Sequence, residues 1–303
     1  MTRHTQRIRS ARVYCSEVNK MFWIFYYIIQ FAPFQQLNAI FRAVPSSRDI
    51  ARFWESITPA TCMPDKCFCE PVQSAIIRQP INTITNLAFI FAGILVVFIA
   101  AYDWFANKNM RDNNLMRSHW LYSTIYGFTA VVVGIGSMIY HSTMSFFGQS
   151  LDIMGMYMVA IFMMLYNIAR FRPMSKKIFL LVYTLITITS FAIATFEPAL
   201  RRPLFIVMLV AILSSDALVR FSRLPHTDVK FFLASIISLT IGCSAWILDI
   251  QNIGCNPTSL IQLHSIWHMG MGGAIFFLYL YYRSETTTIS STTQTITKEE
   301  YAC

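Results

Sequence analysis

Charged side chains are scarce in this sequence of 303 residues, of which Asp, Glu, Lys and Arg together make up 13%. Soluble domains carry about twice that share, so a water-soluble globule of this size would lack the polar side chains to cover its surface. The hydrophobic share of 55% excludes a disordered chain as well. Acidic residues number only 15 against 24 Lys and Arg. No basic–aromatic pattern accompanies that excess, so we expect no nucleic-acid partner.

The apolar residues come in long blocks, and the membrane-spanning helix is therefore the natural unit of this chain. A span needs about 20 mostly apolar residues, and seven stretches qualify. We predict an all-α, seven-helix integral membrane bundle that occupies a domain of residues 67–282. The predicted spans are residues 83–102, 120–140, 150–169, 177–196, 203–221, 231–249 and 263–282.

Two segments flank the predicted bundle. Residues 1–66 form an N-terminal extension with an apolar run at 21–34, which is short for a span. That run fits an interfacial helix or a weak signal anchor better than a true span. Residues 283–303 are rich in Ser and Thr and have no apolar period, so we predict a disordered tail there.

Lysine and arginine occupy alternate loops between the predicted spans. The loops after the first, third and fifth spans are basic, those after the second and sixth have no Lys or Arg, and the fourth has only Arg201 and Arg202. The positive-inside rule then places the basic loops and the C-terminus in the cytoplasm. On the opposite side, disulfides are permitted, with free thiols as the alternative. The cysteines on that side are Cys62, Cys67, Cys69 and Cys255.

Ionisable residues at membrane depth are costly, and each is therefore a functional candidate. The predicted topology puts His141, Asp152, His264 and His268 at one level, near the non-cytoplasmic face. His264 and His268 are four residues apart and share one helix face, as do Ser137 and His141.

Two imidazoles from one helix and one from another can supply three ligands of a tetrahedral zinc site, with the fourth position left for water. We therefore predict Zn²⁺ held by His141, His264 and His268. Asp152 is predicted to take a proton from the bound water and return it to a leaving group. Ser137 is predicted to donate to the bound water or to a developing oxyanion. Such a set suits hydrolysis of an amide or ester at lipid depth.

Each of these residues also has a structural alternative. A histidine at membrane depth is often a hydrogen-bonded packing residue. Asp152 could instead cap the start of its helix. Ser137 lies beside Gly134 and Gly136 and could serve close helix contact.

Two further carboxylates lie in the apolar blocks. Asp249, at the end of the sixth span, is either a functional residue or a loop carboxylate at the water boundary. Asp216 is four residues before Arg220, so we expect the two to pair locally.

Four pieces of the chain, in order, resemble the alkaline ceramidase family, which belongs to a wider group of seven-span hydrolases that includes adiponectin-receptor-like proteins. The resemblance covers roughly residues 67–282. The pieces are Cys69-Glu70 followed by Asn82-Thr83-Ile84-Thr85-Asn86, the S-x-x-x-H from Ser137 to His141, Gln149-Ser150-Leu151-Asp152, and Cys255 with Leu263-His264-Ser265-Ile266-Trp267-His268.

The resemblance implies that a ceramide-like membrane lipid is cleaved at its amide bond to a sphingoid base and a fatty acid. It implies zinc on the three histidines, Asp152 beside the bound water with Ser137 as its partner, and a disulfide between Cys69 and Cys255. A receptor-like or signalling member with weak hydrolase activity stays open, as does a non-enzymatic metal-binding membrane protein. A bis-histidine haem is disfavoured because His264 and His268 share one face.

The chain departs from the family before the first span, where relatives that bind calcium have an acidic, Asn-containing cluster. Only Glu70 of that cluster is kept, and Gln79 stands where the family has Glu. Calcium prefers several hard oxygen ligands, mostly carboxylates. The sequence therefore argues against a calcium site.

Overall fold

A computed structural model of the chain describes residues 49, 52–53, 56–63, 67–106, 114–223 and 226–286. Every long element within these ranges is a helix. In chain order the helices are α1 (Pro80–Thr85), α2 (Leu87–Ala106), α3 (Leu115–Ser118), α4 (Trp120–Thr143), α5 (Phe146–Phe171), α6 (Lys176–Phe196), α7 (Arg201–Arg223), α8 (Val229–Ile250) and α9 (Leu263–Ser284).

Six helical stretches among the described residues are long and apolar enough to cross a membrane. Each overlaps one predicted span. They are Pro80–Phe105, Trp120–Thr143, Phe146–Phe171, Lys176–Phe196, Pro198–Ser222 and Val229–Ile250. The helix that coincides with the seventh predicted span, α9, has 22 residues but is not among the six. The chain is thus all-helical and multi-pass in its described part, and six of the seven predicted spans are supported.

Described residues on both sides of the helices contact the bundle. Residues 58–60, which belong to the predicted N-terminal extension, pair with the turn after α4 through the Thr58 carbonyl and the Ala60 amide. At the other end the helix continues to Ser284, beyond the predicted start of the tail. The apolar run 21–34 and the rest of the tail lie outside the described residues, so their predictions stay predictions.

The turn between α4 and α5 is tighter than the sequence predicts. Met144 ends α4 in the left-handed region, with φ at 49°. Ser145 then caps α5, its hydroxyl accepting from the Gly148 amide at 3.0 Å. The helix therefore begins at Phe146, about one turn before the predicted start. Because Asp152 lies inside the helix, its interpretation as an N-cap is wrong.

Glycine brings the backbones of α4 and α5 together beside the predicted site. A Cβ at Gly136 would lie 2.8 Å from the Leu151 carbonyl oxygen and 3.2 Å from the Asp152 amide nitrogen. Both atoms belong to the backbone, which cannot rotate away as a side chain can. The close contact foreseen for this stretch of α4 is therefore made by Gly136, and it leaves the Ser137 side chain available.

Replacing Gly136 with alanine is expected to push α5 away from α4. Overpacking of this kind costs about 1–3 kcal/mol, so we expect a lower melting temperature and reduced activity in detergent. Gly273→Ala is the control, because a Cβ there meets only the Ser238 side chain, at 3.3 Å or more. Equal melting temperatures for the two variants would contradict the close contact.

Buried ion pairs close the opposite end of the bundle. Arg170 of α5 binds Asp216 of α7 at 2.9 Å and Glu285, just after α9, at 2.6 Å. The predicted local pair of Asp216 and Arg220 forms at 2.8 Å. Buried charges need partners, so these contacts hold α5, α7 and the end of α9 together. The predicted site lies at the other end of the bundle.

Candidate metal centre

Three histidine rings meet where α4 ends and α9 begins. His141, His264 and His268 are 1%, 5% and 1% exposed. One candidate ligand atom of each lies within 4.8 Å of the other two. The ring centroids of His141 lie 4.9 Å from His264 and 5.0 Å from His268. The structure thus brings together the three imidazoles that the predicted topology places at one level, and this cluster could hold a metal ion.

Gln79 fixes the His141 ring. The Gln79 Oε1 atom lies 2.8 Å from His141 Nδ1, while Gln79 Nε2 donates to the Glu70 carbonyl at 2.7 Å. Since the amide nitrogen is engaged elsewhere, the amide oxygen accepts, and His141 carries its proton on Nδ1. The Nε2 lone pair of His141 is then available as a ligand.

Thr85 assigns the same tautomer to His268. The Thr85 hydroxyl lies 2.9 Å from His268 Nδ1 and donates its proton to the Ile81 carbonyl at 3.0 Å. A hydroxyl has one proton, so it accepts from the Nδ1–H of the ring. The Nε2 atom of His268 is therefore the one free for a ligand role.

Asp249 faces the third ring. Its Oδ2 atom lies 3.7 Å from His264 Nδ1, and its Oδ1 atom accepts from the Cys69 amide at 3.2 Å. The residue is 1% exposed, so the interpretation of Asp249 as a loop carboxylate at the water boundary is wrong. A carboxylate on the far side of a histidine ring commonly orients metal-binding imidazoles.

Two disulfides fix the segment that carries Phe68 against the histidine cluster. Cys69 is bonded to Cys255, as the family resemblance implies, and Cys62 is bonded to Cys67. The free-thiol alternative is therefore wrong for these four cysteines. Phe68 stands between the two bridges, with its ring centroid 4.0 Å from that of His264 and 5.1 Å from that of His141. This ring shields the imidazoles from water.

Ser137 and Asp152 form a second polar pair, one helical turn along α4 from His141. The Ser137 hydroxyl interacts with the Asp152 carboxylate, and Ser137 is 2% exposed. Asp152 is not among the residues whose ligand atoms converge. The structure therefore joins Asp152 to Ser137 and keeps it outside the cluster of three nitrogens.

The segment before α1 uses its carboxylate to hold the helix. Glu70 Oε1 accepts from the Ile81 amide at 2.8 Å, and Oε2 accepts from the Asn82 amide at 2.7 Å. Burial raises the pKa of Glu70, and these two backbone donors act in the opposite direction. Pro71 and Val72 offer no side-chain oxygen. Calcium needs several oxygen ligands, so these residues do not fit a calcium site.

Sequence reasoning missed most of the groups around the imidazoles. The sequence drew attention to Gln79 only because the family that the chain resembles has glutamate at this position. Asp249 was recognised in the sequence as an ionisable residue at membrane depth, but its position beside His264 was not predicted. Thr85 was named only as part of a motif that resembles the family, without a role, and Phe68 had no distinguishing pattern, because Phe is ordinary in apolar helices and loops.

Two comparisons with known proteins cover most of the chain. A family model described as Ceramidase matches residues 61–302. The Drosophila melanogaster protein named alkaline ceramidase is 26% identical over 254 residues, which cover 78% of this chain and 83% of that protein. The range matched by the family model contains the three histidines, Ser137 and Asp152.

Proposed function

The chain belongs to the ceramidase family, and we propose that it hydrolyses a ceramide-like membrane lipid with zinc held by His141, His264 and His268. Family membership makes the protein a hydrolase of amide bonds. What we propose beyond family membership is the identity of the metal, the role of each site residue and the orientation of the chain in the membrane. The convergence of three buried imidazoles carries it.

The donor set fits zinc. It consists of three imidazole nitrogens, which matches the three protein ligands and one open position of catalytic zinc sites. Calcium and magnesium prefer oxygen ligands instead. The Nδ1 atoms face Gln79, Thr85 and Asp249, as the outer nitrogens of zinc-binding histidines usually do. Zinc in such a site lowers the pKa of water to about 7 and polarises a carbonyl oxygen.

Asp152 is the proposed proton carrier. Its carboxylate accepts a proton from water as the water oxygen bonds to the acyl carbon, and it passes that proton to the amine nitrogen as the C–N bond breaks. The products are a fatty acid and a sphingoid base. Ser137 is proposed to hold this carboxylate through its hydroxyl. A hydroxyl whose proton is engaged there acts as a positioning residue rather than as the oxyanion donor.

The proposed topology has seven spans, with the site near the non-cytoplasmic face. The 22 residues of α9 complete the count, since about 20 suffice for a span. Disulfides form in oxidising compartments, and both bridges lie at the site end. Basic residues gather at the other end, as expected for the cytoplasmic side. They include Arg170, Arg172, Lys176, Lys177 and Arg220.

Reconstituted protein tests this function directly. Incubation with ceramide should release sphingoid base and fatty acid in equal amounts, measured by mass spectrometry. A zinc chelator should stop the release and added Zn²⁺ should restore it, whereas a calcium-selective chelator should change nothing. Release that persists after complete removal of the metal would contradict the zinc-dependent proposal.

Asp249→Asn is expected to weaken zinc binding and to leave the ligands in place. Loss of a group that orients a ligand histidine typically costs about 10–100-fold in metal affinity. Competition with a chromophoric chelator measures this change. Asp216→Asn, at the opposite end of the bundle, is the matched control and should keep the wild-type affinity. Equal affinities for the two variants would refute the role of Asp249.

A further inference from the structure

Two buried asparagines beside the histidine cluster have polar atoms that the chain does not satisfy. Asn82 and Asn86 are both fully buried. Within the described part of the chain, neither Oδ1 nor Nδ2 of Asn82 has a hydrogen-bond partner, and neither does Oδ1 of Asn86. Buried polar groups are nearly always hydrogen-bonded, because a buried donor or acceptor without a partner destabilises the folded protein. These three atoms, which lie beside the histidine cluster, are therefore candidates for a hydrogen-bond partner from outside the chain.

The register between α1 and α4 gives the depth of Asn82. At one end the Gln79 amide donates to the His141 carbonyl at 3.0 Å. Seven residues further on, the Asn86 carbonyl oxygen lies 3.0 Å from the Cβ position of Gly134, which is seven residues before His141. Residues 79–86 and 134–141 therefore run antiparallel with the same rise per residue. Asn82 lies within about one residue rise, 1.5 Å, of the level of Ser137.

The backbone of Asn82 is fixed against the cluster. Its carbonyl accepts from Asn86 Nδ2 at 2.8 Å and lies 3.2 Å from the Thr85 hydroxyl, which contacts His268 Nδ1 at 2.9 Å. Its amide donates to Glu70 at 2.7 Å. Asn82 thus lies between a proposed metal ligand and the level of the Ser137–Asp152 pair. A carboxamide carried on this fixed backbone can bind a substrate at a smaller ordering cost than one on a mobile segment.

We propose that Asn82 is a specificity-determining residue that hydrogen-bonds the hydroxyl-bearing head of the lipid amide, with Asn86 Oδ1 as a second acceptor. This inference rests on the proposed function, whose substrate has hydroxyl groups next to the scissile amide. A carboxamide both donates and accepts, which matches a hydroxyl that also does both. A site built to bond a hydroxyl rejects an analogue that lacks it, because its own polar groups are then left unpaired.

The test compares two lipid amides with the same acyl chain, ceramide and an analogue whose base lacks the hydroxyl groups. Wild-type protein should prefer ceramide in kcat/KM by at least about tenfold. Asn82→Ala should lower kcat/KM for ceramide by about 10–100-fold and for the analogue by less than about threefold, so that the preference collapses. Zinc content should be unchanged in the variant.

Two further variants separate recognition from folding. Asn82→Asp has the same shape but loses the two N–H donors, and it should also lose the preference. Asn167→Ala removes another fully buried asparagine, one that bonds Ile212 and Ser215 at the far end of α5. That variant should keep the wild-type substrate ratio even where it lowers the melting temperature.

A wild-type enzyme that does not prefer ceramide would overturn the inference, and so would Asn82 variants that keep the wild-type ratio. These results differ from failure of the proposed function, in which the wild-type protein releases no product from either lipid in a zinc-dependent manner.

Discussion

His264→Ala is expected to abolish hydrolysis and to release the metal. The variant leaves two imidazoles, and an alanine cannot replace the missing nitrogen ligand. We expect kcat/KM to fall by at least about 1,000-fold, which corresponds to about 4 kcal/mol of transition-state stabilisation. Zinc per chain, measured on the same preparation by mass spectrometry, should fall well below one.

His226→Ala is the matched control for this prediction. His226 has an exposed side chain at the start of the segment leading to α8 and lies outside the cluster. Its replacement should leave activity and zinc content unchanged. If His264→Ala retained full activity with its zinc lost, the imidazole cluster would have no part in catalysis.

Asp152→Asn is expected to separate metal binding from proton transfer. Asparagine has nearly the same shape and can still bond Ser137, but it cannot accept a proton from water. Loss of a general acid–base group costs about 100–10,000-fold in rate. We expect kcat to fall within that range and zinc content to stay at the wild-type level, since Asp152 is not among the converging ligand atoms.

The control for Asp152→Asn is another buried aspartate with a structural partner. Asp103 is 2% exposed and pairs with Arg283 at 2.6 Å. Asp103→Asn should lower the melting temperature without a comparable loss of kcat per folded protein. Undiminished turnover in Asp152→Asn would remove Asp152 from the mechanism, and loss of zinc from that variant would assign Asp152 to metal binding rather than to proton transfer alone.

The sequence alone was sufficient to predict the helices and to predict that the three histidines lie close together. Long apolar stretches define spans through bilayer thickness alone, and alternation of basic loops orders the ends of those spans. His141 at the end of one span and the pair His264 and His268 at the start of another then had to lie at one end of the bundle. Chain direction and helical period alone determine this arrangement, and both can be read from the sequence.

The groups that fix the rings could not be read from the chain in the same way. Gln79 and Asp249 approach the histidines from positions 62 and 15 residues away in sequence. Such contacts depend on how helices pack, and no local spacing encodes them. The Cys62–Cys67 pairing was open for a similar reason, since four cysteines allow three connectivities.

Local rules failed mainly where the site is built. The start of α5 was misplaced because Met144 adopts a left-handed conformation that its residue type does not favour. The apolarity of α9 is reduced by the polar residues of its first two turns, which include His264 and His268 of the cluster. Departures from local consistency are expected at functional sites, and both of these border the histidines.

X-ray absorption at the zinc edge of purified, active protein tests the proposed three-histidine zinc site most directly. We predict about one zinc ion per chain, surrounded by three imidazole nitrogens at about 2.0–2.1 Å and one further light atom. His264→Ala should lose that signal. Active protein without zinc, or with zinc bound by sulfur instead of imidazole, would contradict the account.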